Sequence, residues 1–297
     1  MADRVDRVLE RDLNGLDVLR QHEVLSEPEL RSIINRRRDF EYKLHRRAPI
    51  VTDFQRAIQY ETNLYNLVEL RISRLKLKNS DHLLSSIRRR EFGIYQRLVG
   101  KFSGDHHLWA AFLDYARHIG ARKALSNVIA KALQLHPLRP ELWIKAMAFE
   151  FDVNNSIDAA RVLMQRALRM LPKCQMIWLA FFKMELQYVR HLIERAKISC
   201  RDLDVKMEIP LLLYRRACEA VKNDWRFRIR FLQMLPDDGC NELRDQIKAG
   251  LNACFRDNEE CMEALNKLEH VSEDEDMADE QVQWCIDTNP ISELIHV

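Results

Sequence analysis

The chain has 297 residues, a formal net charge of +2, and only seven glycines and eight prolines, about 5% of its length, where average usage is roughly 12%. Because sheets need these residues in their turns, the composition excludes a β-rich fold. Hydrophobic residues at 47% and charged residues at 31% exclude wholesale disorder, and no apolar run reaches the roughly 18 residues that cross a bilayer. The charged start, from Asp3 to Asp6, lacks the apolar stretch of a signal peptide, so we expect a cytosolic or nuclear protein.

Residues 1–50 are predicted to form an N-terminal helical region. Apolar residues between Val5 and Leu16 recur at helical spacing and predict a first helix. The sequence Ser26-Glu27-Pro28-Glu29 is typical of a capping box, in which the serine and the glutamate satisfy free backbone groups at a helix start. This second helix is expected to end at Ala48-Pro49, because proline disfavours helical geometry in the residue before it.

Basic side chains are concentrated in the middle of the chain. Residues 31–230 carry 39 Lys and Arg against 20 Asp and Glu, a net charge of +19, between two acidic ends. Arginine pairs well with phosphate and with carboxylates, so clusters there are candidate contacts for RNA or for an acidic protein; the alternative is ordinary solvated helix faces. Nearby aromatics (Phe40, Tyr42, Phe92 and Tyr95) could stack on bases, but their spacing favours a buried helix face. The candidate contact residues are Arg36, Arg37, Arg38, Arg46, Arg47, Arg88, Arg89 and Arg90.

A repeat of 34–35 residues follows. Trp109, Trp143 and Trp178 are 34 and 35 residues apart, and Ala-Leu steps and prolines recur 35 residues apart in the same register. Each unit is predicted to be a pair of helices that cannot bury its apolar faces alone, so neighbouring units must stack. The structural repeat positions are Phe54, Tyr60, Trp109, Tyr115, Ala132, Pro137, Trp143, Phe149, Ala167, Pro172 and Trp178.

The repeat divides the chain into regions. Residues 51–200 are predicted to hold the regular units, and residues 201–269 are expected to form further, irregular helices. The acidic segment 270–297 has no convincing helical period and is expected to be disordered. The predicted unit boundaries are 53–101, 105–137, 139–172 and 174–200.

No catalytic, cofactor or metal site is predicted. The sequence contains no G-x-x-x-x-G-K-[ST], G-x-G-x-x-G, H-E-x-x-H or G-x-S-x-G motif. His106-His107 is expected to be a solvent-facing helix start, and a zinc site from Cys254, Cys261 and His270 is disfavoured without a C-x-x-C pair. Seven scattered cysteines indicate a reducing compartment. We therefore do not expect an enzyme.

The repeat resembles one family of helical hairpins more than another. The tetratricopeptide repeat has a glycine four residues after its tryptophan, where this chain has Leu113, Met147 and Phe182. The pattern from Trp143 to Glu150, with Pro172 closing the second helix, instead resembles the half-a-TPR (HAT) repeat. This resemblance implies an all-α, right-handed α-solenoid and a scaffold of RNA-processing machines: ribosome biogenesis, splicing or messenger 3′-end formation.

The N-terminal segments narrow the resemblance. Residues 25–30, 38–47, 53–54 and 59–64 closely resemble the start of the U3 small nucleolar RNA-associated protein 6 family. That family implies a non-catalytic component of the UTP-B subcomplex of the small-subunit processome, acting in the nucleolus on pre-rRNA processing toward 18S rRNA. The implied partners are WD-repeat proteins of UTP-B, with U3 snoRNA and pre-rRNA in the particle. Family members are roughly twice as long, so we expect this chain to correspond to an N-terminal half, as an isoform, a fragment or a truncated gene model.

Two kinds of function therefore remain open from the sequence. The first is a rigid scaffold that binds proteins through its helical repeats, in ribosome biogenesis or in another RNA-processing machine. The second is a direct RNA-binding module that uses the basic surface of residues 31–230. The two hypotheses differ in what the arginine clusters contact.

Overall fold

A computed structural model describes residues 2–77, 81–120, 122–198, 207–235, 241–256 and 258–270. Over these residues the regular structure is helical with no strand, which confirms the all-α prediction. The chain divides into two compact units, Met1–Ala121 (the first unit) and Arg122–Val297 (the second unit). No helix in the described ranges has the length and hydrophobicity needed to span a membrane. The helices are α1 Ala2–Gln21, α2 Glu27–Leu44, α3 Val51–Leu75, α4 Asp81–Lys101, α5 His106–His118, α6 Arg122–Leu135, α7 Pro140–Ala148, α8 Ile157–Met170, α9 Gln175–Ile198, α10 Glu208–Ala220, α11 Trp225–Gln233, α12 Asn241–Phe255 and α13 Glu259–His270.

The first unit contains α1 to α5. Helix α4 packs against α1, α3 and α5, and α2 packs against α1 and α3. Leu64, Val68 and Ile72 lie four residues apart on α3 and pack in one apolar cluster with Leu83 and Ile87 of α4. Because a spacing of four returns to the same side of a helix, α3 buries a continuous stripe against its neighbours.

The second helix begins as the sequence predicts. The carboxylate of Glu29 accepts the backbone N–H of Ser26 at 2.9 Å and the Ser26 hydroxyl at 2.8 Å, and Pro28 lies in the first turn. Glu29 also accepts two hydrogen bonds from Arg71 of α3, at 2.9 and 2.7 Å. The start of α2 is therefore attached to α3 by a charged contact in addition to the apolar core.

The second unit contains α6 to α13. Helices α7, α8 and α9 pack against one another, α9 also contacts α10 and α11, and α11 contacts α12 and α13. At the centre of one cluster the ring of Phe231 meets Phe182, Tyr214 and Phe227 edge to face, with ring centroids 4.9 to 5.4 Å apart. Edge-to-face geometry suits the quadrupoles of aromatic rings, so these contacts hold α9, α10 and α11 together.

The three predicted repeat tryptophans make the same local contact. All three are buried, and each indole N–H donates to the backbone carbonyl six residues earlier. The three bonds are Trp109 to Ser103 at 3.1 Å, Trp143 to Pro137 at 2.8 Å and Trp178 to Pro172 at 2.9 Å. The register read from the sequence therefore corresponds to one repeated local geometry, while stacking of the units into a solenoid stays a prediction.

The other repeat positions differ in their burial. Ala132 and Ala167 are fully buried, and helices α6 and α8 each end two residues before Pro137 and Pro172. Proline cannot continue a helix, which explains both ends. Of the remaining positions, Phe54 and Phe149 are buried, Tyr60, Tyr115 and Pro137 are half-buried, and Pro172 is exposed.

Helices α1 and α2 of the N-terminal helical region pack into the same unit as α3 to α5. The structure differs from the predicted regions in two respects. The division between the units, at Ala121, falls inside the predicted repeat 105–137. The predicted unit 174–200 contains one long helix, α9, because no glycine or proline interrupts it. Of the predicted acidic tail, residues 271–297 lie outside the described residues.

Candidate functional site

The eight candidate contact arginines separate into buried and accessible groups. Arg37 is 2% exposed and Arg90 is 7% exposed. Arg88 is half-buried, with its guanidinium 4.7 Å from the centre of the Tyr65 ring and a hydrogen bond to the Tyr65 hydroxyl. The exposed members are Arg36, Arg38, Arg46, Arg47 and Arg89.

Arg90 connects α4 to the three helices that precede it. Its guanidinium donates to Asp12 of α1, to Glu41 of α2 at 2.8 Å and to Glu61 of α3 at 2.9 Å. Burial alone lowers the pKa of Arg90, but the charges of Glu61, Asp12 and Glu41 outweigh it and raise that pKa. Arg90 therefore stays charged inside the first unit.

Both glutamates that bind Arg90 have a second arginine partner. Glu61 accepts two hydrogen bonds from Arg37, at 2.9 and 2.6 Å. Glu41 accepts two from Arg97, at 2.7 and 2.9 Å. Burial tends to raise the pKa of Glu41, but the hydrogen bonds and charge of Arg97, with the charge of Arg90, lower it below its ordinary value. Both carboxylates therefore have cationic partners that compensate their burial.

These contacts correct the sequence prediction for two residues. Arg37 and Arg90 have their guanidinium groups in internal ion pairs, so they do not offer them to RNA or to a protein partner. A signal was present in the sequence: Arg37 and Glu41 fall in register with the buried Ile33 and Leu44 of α2. Charged residues on an otherwise apolar stripe indicate internal pairing rather than a solvated face.

The same kind of pair occurs in the second unit. Arg161 of α8 makes two hydrogen bonds of 2.7 Å to Glu185 of α9, which is buried. Arg161 and Glu185 are 24 residues apart, the same separation as Arg37 and Glu61. Glu61 lies seven residues after the repeat aromatic Phe54, and Glu185 lies seven residues after Trp178. The arginine–glutamate ion pair therefore recurs at the same position of the repeat.

Glu91 is a buried carboxylate in a different environment. It accepts hydrogen bonds from the hydroxyls of Thr62 at 2.6 Å and Tyr115 at 2.9 Å. Burial raises the pKa of Glu91 above its ordinary value, against the opposing effect of those two hydrogen bonds. In the sequence, Glu91 directly follows three arginines and has no feature that distinguishes it from a surface charge.

The aromatics near the arginine clusters do not all lie in the core. Tyr95 is buried, with its ring 5.4 Å from Phe112 and 4.6 Å from Tyr115, both stacked, and Phe92 is half-buried. Tyr42 is 40% exposed. The core prediction is thus confirmed for Tyr95 and wrong for Tyr42, which lies outside the buried stripe of α2.

An open groove lies between α2 and α3 on the surface of the first unit, here called the α2–α3 groove. It consists of two adjoining depressions of about 710 and 400 Å³ that share Arg36, Asp39 and Tyr60. The Phe40 and Tyr60 rings are 5.5 Å apart, and the charged groups of Arg36 and Lys43 are each 5.9 Å from the centre of the Phe40 ring. Aromatic and cationic side chains are therefore combined along one accessible cleft.

The two histidines at the start of α5 lie largely as predicted. The side chain of Asp105 caps the helix by accepting the backbone N–H of His107 at 3.0 Å. The two imidazole rings have centroids 4.0 Å apart, with His107 exposed and His106 half-buried. The pair therefore occupies a capped helix start.

Comparison with known proteins places these residues in a family context. The family model described as U3 small nucleolar RNA-associated protein 6 matches residues 9–92, which include Arg37, Glu61 and Arg90. The chain is 36% identical over 212 residues to U3 small nucleolar RNA-associated protein 6 of Schizosaccharomyces pombe, covering 70% of the chain and 43% of that relative. It is 29% identical over 271 residues to the homologs of Mus musculus and of Homo sapiens, covering 87% of the chain and 45% of each.

These matches confirm the family resemblance read from the N-terminal segments. The chain spans less than half the length of these curated relatives.

Proposed function

Because the chain belongs to the U3 small nucleolar RNA-associated protein 6 family, we propose that it is a non-catalytic scaffold in ribosome biogenesis that associates with the U3 small nucleolar ribonucleoprotein. The match of residues 9–92 to the family carries this proposal. That segment contains the buried ion pairs of Arg37 and Arg90. It also contains exposed arginines of α2, such as Arg36 and Arg38. A rigid interior with accessible charge outside suits a binding platform.

The finer proposal concerns the machine and its partners. We propose that the chain acts within the small-subunit processome, in the nucleolus, by contacting WD-repeat proteins of the UTP-B subcomplex. There it would support pre-rRNA processing toward 18S rRNA. Because the chain spans less than half of its relatives, their whole activity is extended to it only as part of this proposal.

The accessible arginines are the proposed contacts for acidic partners. Three arginines are exposed on or just after α2: Arg38, Arg46 and Arg47. Arg46 lies 3.8 Å from Asp53, and this ion pair is weak because the arginine side chain is exposed. Exposed charges of this kind act mainly on association rate and on register, because complementary potentials steer the encounter. We therefore expect their loss to weaken capture without unfolding the chain.

The test is affinity capture from cells with the full chain as bait. We expect WD-repeat proteins and U3 snoRNA to be enriched at physiological salt, and WD-repeat proteins to remain after nuclease treatment if the contact is with protein. The variant Arg38→Glu/Arg46→Glu/Arg47→Glu should reduce the capture. A matched triple change of exposed arginines elsewhere, Arg4→Glu/Arg7→Glu/Arg74→Glu, serves as the control.

Two outcomes would contradict the proposal. Capture of splicing or 3′-end-processing components instead would favour a HAT scaffold of another RNA-processing machine. Equal loss of capture in the control triple variant would mean that general charge, and not the α2 surface, is responsible.

A further inference from the structure

We propose that the α2–α3 groove binds single-stranded RNA, with cations on both walls contacting phosphates and the Tyr60 ring stacking on a base. This inference rests on the chemistry of the groove and does not depend on the scaffold proposal. It differs from the arginine-cluster hypothesis in its residues, since Arg36 is the only member of those clusters that lines the groove.

The charge of the groove favours a polyanion. Four cationic side chains line it, against two carboxylates, Glu27 and Asp39. Cations on both walls can contact a phosphate backbone that passes between them, and release of counterions then drives binding. The four cationic residues are Arg31, Arg36 and Lys43 of α2 and Arg56 of α3.

The aromatic residues supply a surface for bases. Tyr60 lines both depressions and is half-buried, and its ring centroid lies 5.5 Å from that of Phe40, with the two rings tilted by 47°. Unpaired bases stack on accessible aromatic rings of this kind. A duplex keeps its bases within the helix, so this feature selects a single strand.

Amide side chains stand beside this ring. Asn35 lines the wall formed by α2, and Gln59 and Asn63 line the wall formed by α3, where the Gln59 amide donates to Asn63 at 3.0 Å. Amides offer both donors and acceptors and can therefore pair with base edges. The carboxylate of Asp39 can accept an exocyclic amine of a base, although it opposes phosphate.

The lining argues against a helical or extended peptide as the occupant. Peptide grooves hold their ligands through apolar anchors that fit apolar pockets. None of the residues that line the groove is Leu, Ile, Val or Met. From Pro28 to Lys43 the α2 wall runs for roughly 22 Å at 1.5 Å per residue, the length of about six nucleotides at the 3.4 Å spacing of a stacked strand.

The proposal is tested by fluorescence anisotropy on the full purified chain with a labelled oligouridine of about twelve nucleotides. We expect saturable binding, weaker for an RNA duplex of equal length. Arg36→Gln/Lys43→Gln should weaken binding by about tenfold or more and reduce the salt slope by about 1.4, since each phosphate contact on a single strand contributes about 0.7. The matched control, Arg7→Gln/Arg74→Gln, changes two exposed arginines outside the groove and should have little effect.

Two further variants separate stacking from charge. Tyr60→Ala should weaken binding about tenfold, while Tyr60→Phe, which keeps the ring, should bind as the unchanged chain does. Asp39→Asn should strengthen binding, because it removes a repelling charge. Thermal unfolding of each variant identifies any loss that comes from misfolding, and Tyr60→Phe and Asp39→Asn keep the proposal testable if Tyr60→Ala does not fold.

Specific results would overturn the proposal. Equal losses in the groove and control double variants would reduce the binding to general charge. Competition by a glutamate peptide as effective as that of unlabelled RNA would identify a site for acidic protein instead. If the chain does not bind RNA but still captures WD-repeat proteins, the groove proposal fails and the scaffold proposal stands. If the chain binds RNA in the groove but captures no WD-repeat protein, the scaffold proposal fails and the groove proposal stands.

Discussion

Arg37 and Arg90 meet inside the first unit, where the Nε atom of each lies 2.9 Å from the same carboxylate oxygen of Glu61. The two arginines come from α2 and α4, and Glu61 comes from α3 between them. Two guanidinium groups can share one buried oxygen because neighbouring carboxylates, Glu41 and Asp12, balance the second positive charge. The charged cluster therefore links four helices around one acceptor.

Removing the charge at this acceptor should destabilise the chain strongly. Glu61→Gln leaves two buried guanidinium groups with too few carboxylates, so we expect the free energy of unfolding to fall by about 3–5 kcal/mol. Urea denaturation followed by circular dichroism measures this change. The control Glu260→Gln breaks the exposed pair with Arg226 and should cost less than about 1 kcal/mol. A similar small cost for both variants would contradict a structural role for the buried cluster.

The repeat tryptophans should respond alike to loss of the indole N–H. Trp143→Phe and Trp178→Phe each leave a backbone carbonyl, of Pro137 or Pro172, without its donor. We expect each change to lower the free energy of unfolding by about 1–3 kcal/mol, from the lost hydrogen bond and the smaller ring. Chemical denaturation measures the free energy of unfolding of these two variants and of Trp225→Phe, which changes a half-buried tryptophan. Costs that differ widely between Trp143 and Trp178 would argue against equivalent repeat positions.

Glu29 should make stability depend on pH in the acid range. Hydrogen bonds from Arg71 and from the backbone and side chain of Ser26 lower the pKa of Glu29 from 4.5 to about 2. Because the pKa is lower in the folded state, the stabilisation is present above about pH 4.5 and is lost as the pH falls toward 2. Glu29→Gln should cost about 1 kcal/mol at neutral pH, and the difference from the unchanged chain should disappear in acid. The control is Glu27→Gln, because Glu27 forms only exposed ion pairs, with Arg20 at 3.6 Å and Arg31 at 3.7 Å.

Glu91 should make the stability of the chain depend on pH in the opposite direction. Burial raises its pKa, so the folded state favours the protonated form, and the ionised form costs stability as the pH rises through the folded pKa. Glu91→Gln keeps a neutral hydrogen-bonding group beside Thr62 and Tyr115. We expect this variant to gain stability relative to the unchanged chain as the pH rises from acid to neutral, measured by urea denaturation at several pH values. A difference that does not vary with pH would contradict the raised pKa.

Sequence patterns were sufficient where the physics is local or periodic. The helical class, the capping interaction of Glu29, the helix ends before Pro137 and Pro172, and the burial of Trp143 all follow from neighbours in sequence. The length of α9 was missed, although the lack of glycine and proline in that segment was visible. The repeat had predicted a pair of helices in the unit 174–200, where the structure has the single helix α9.

The candidate site could be predicted only in part. The clusters of arginine were evident, but Arg37 and Arg38 are adjacent in sequence, and one is buried while the other is exposed. Adjacent helical residues point in different directions, so membership of a cluster does not decide accessibility. The pairing of Arg90 with Asp12 joins positions 78 residues apart, a separation at which the sequence has no local signal.

The order of residues alone determined that this chain is helical, that its tryptophans recur in register and which family it belongs to, because helix periodicity, caps and motifs are properties of short segments. Only the tertiary structure decided which charges are internal and which are available, because burial depends on the helices that pack over a residue. The groove between α2 and α3 exists for the same reason: its two walls are separated in sequence and brought together by packing.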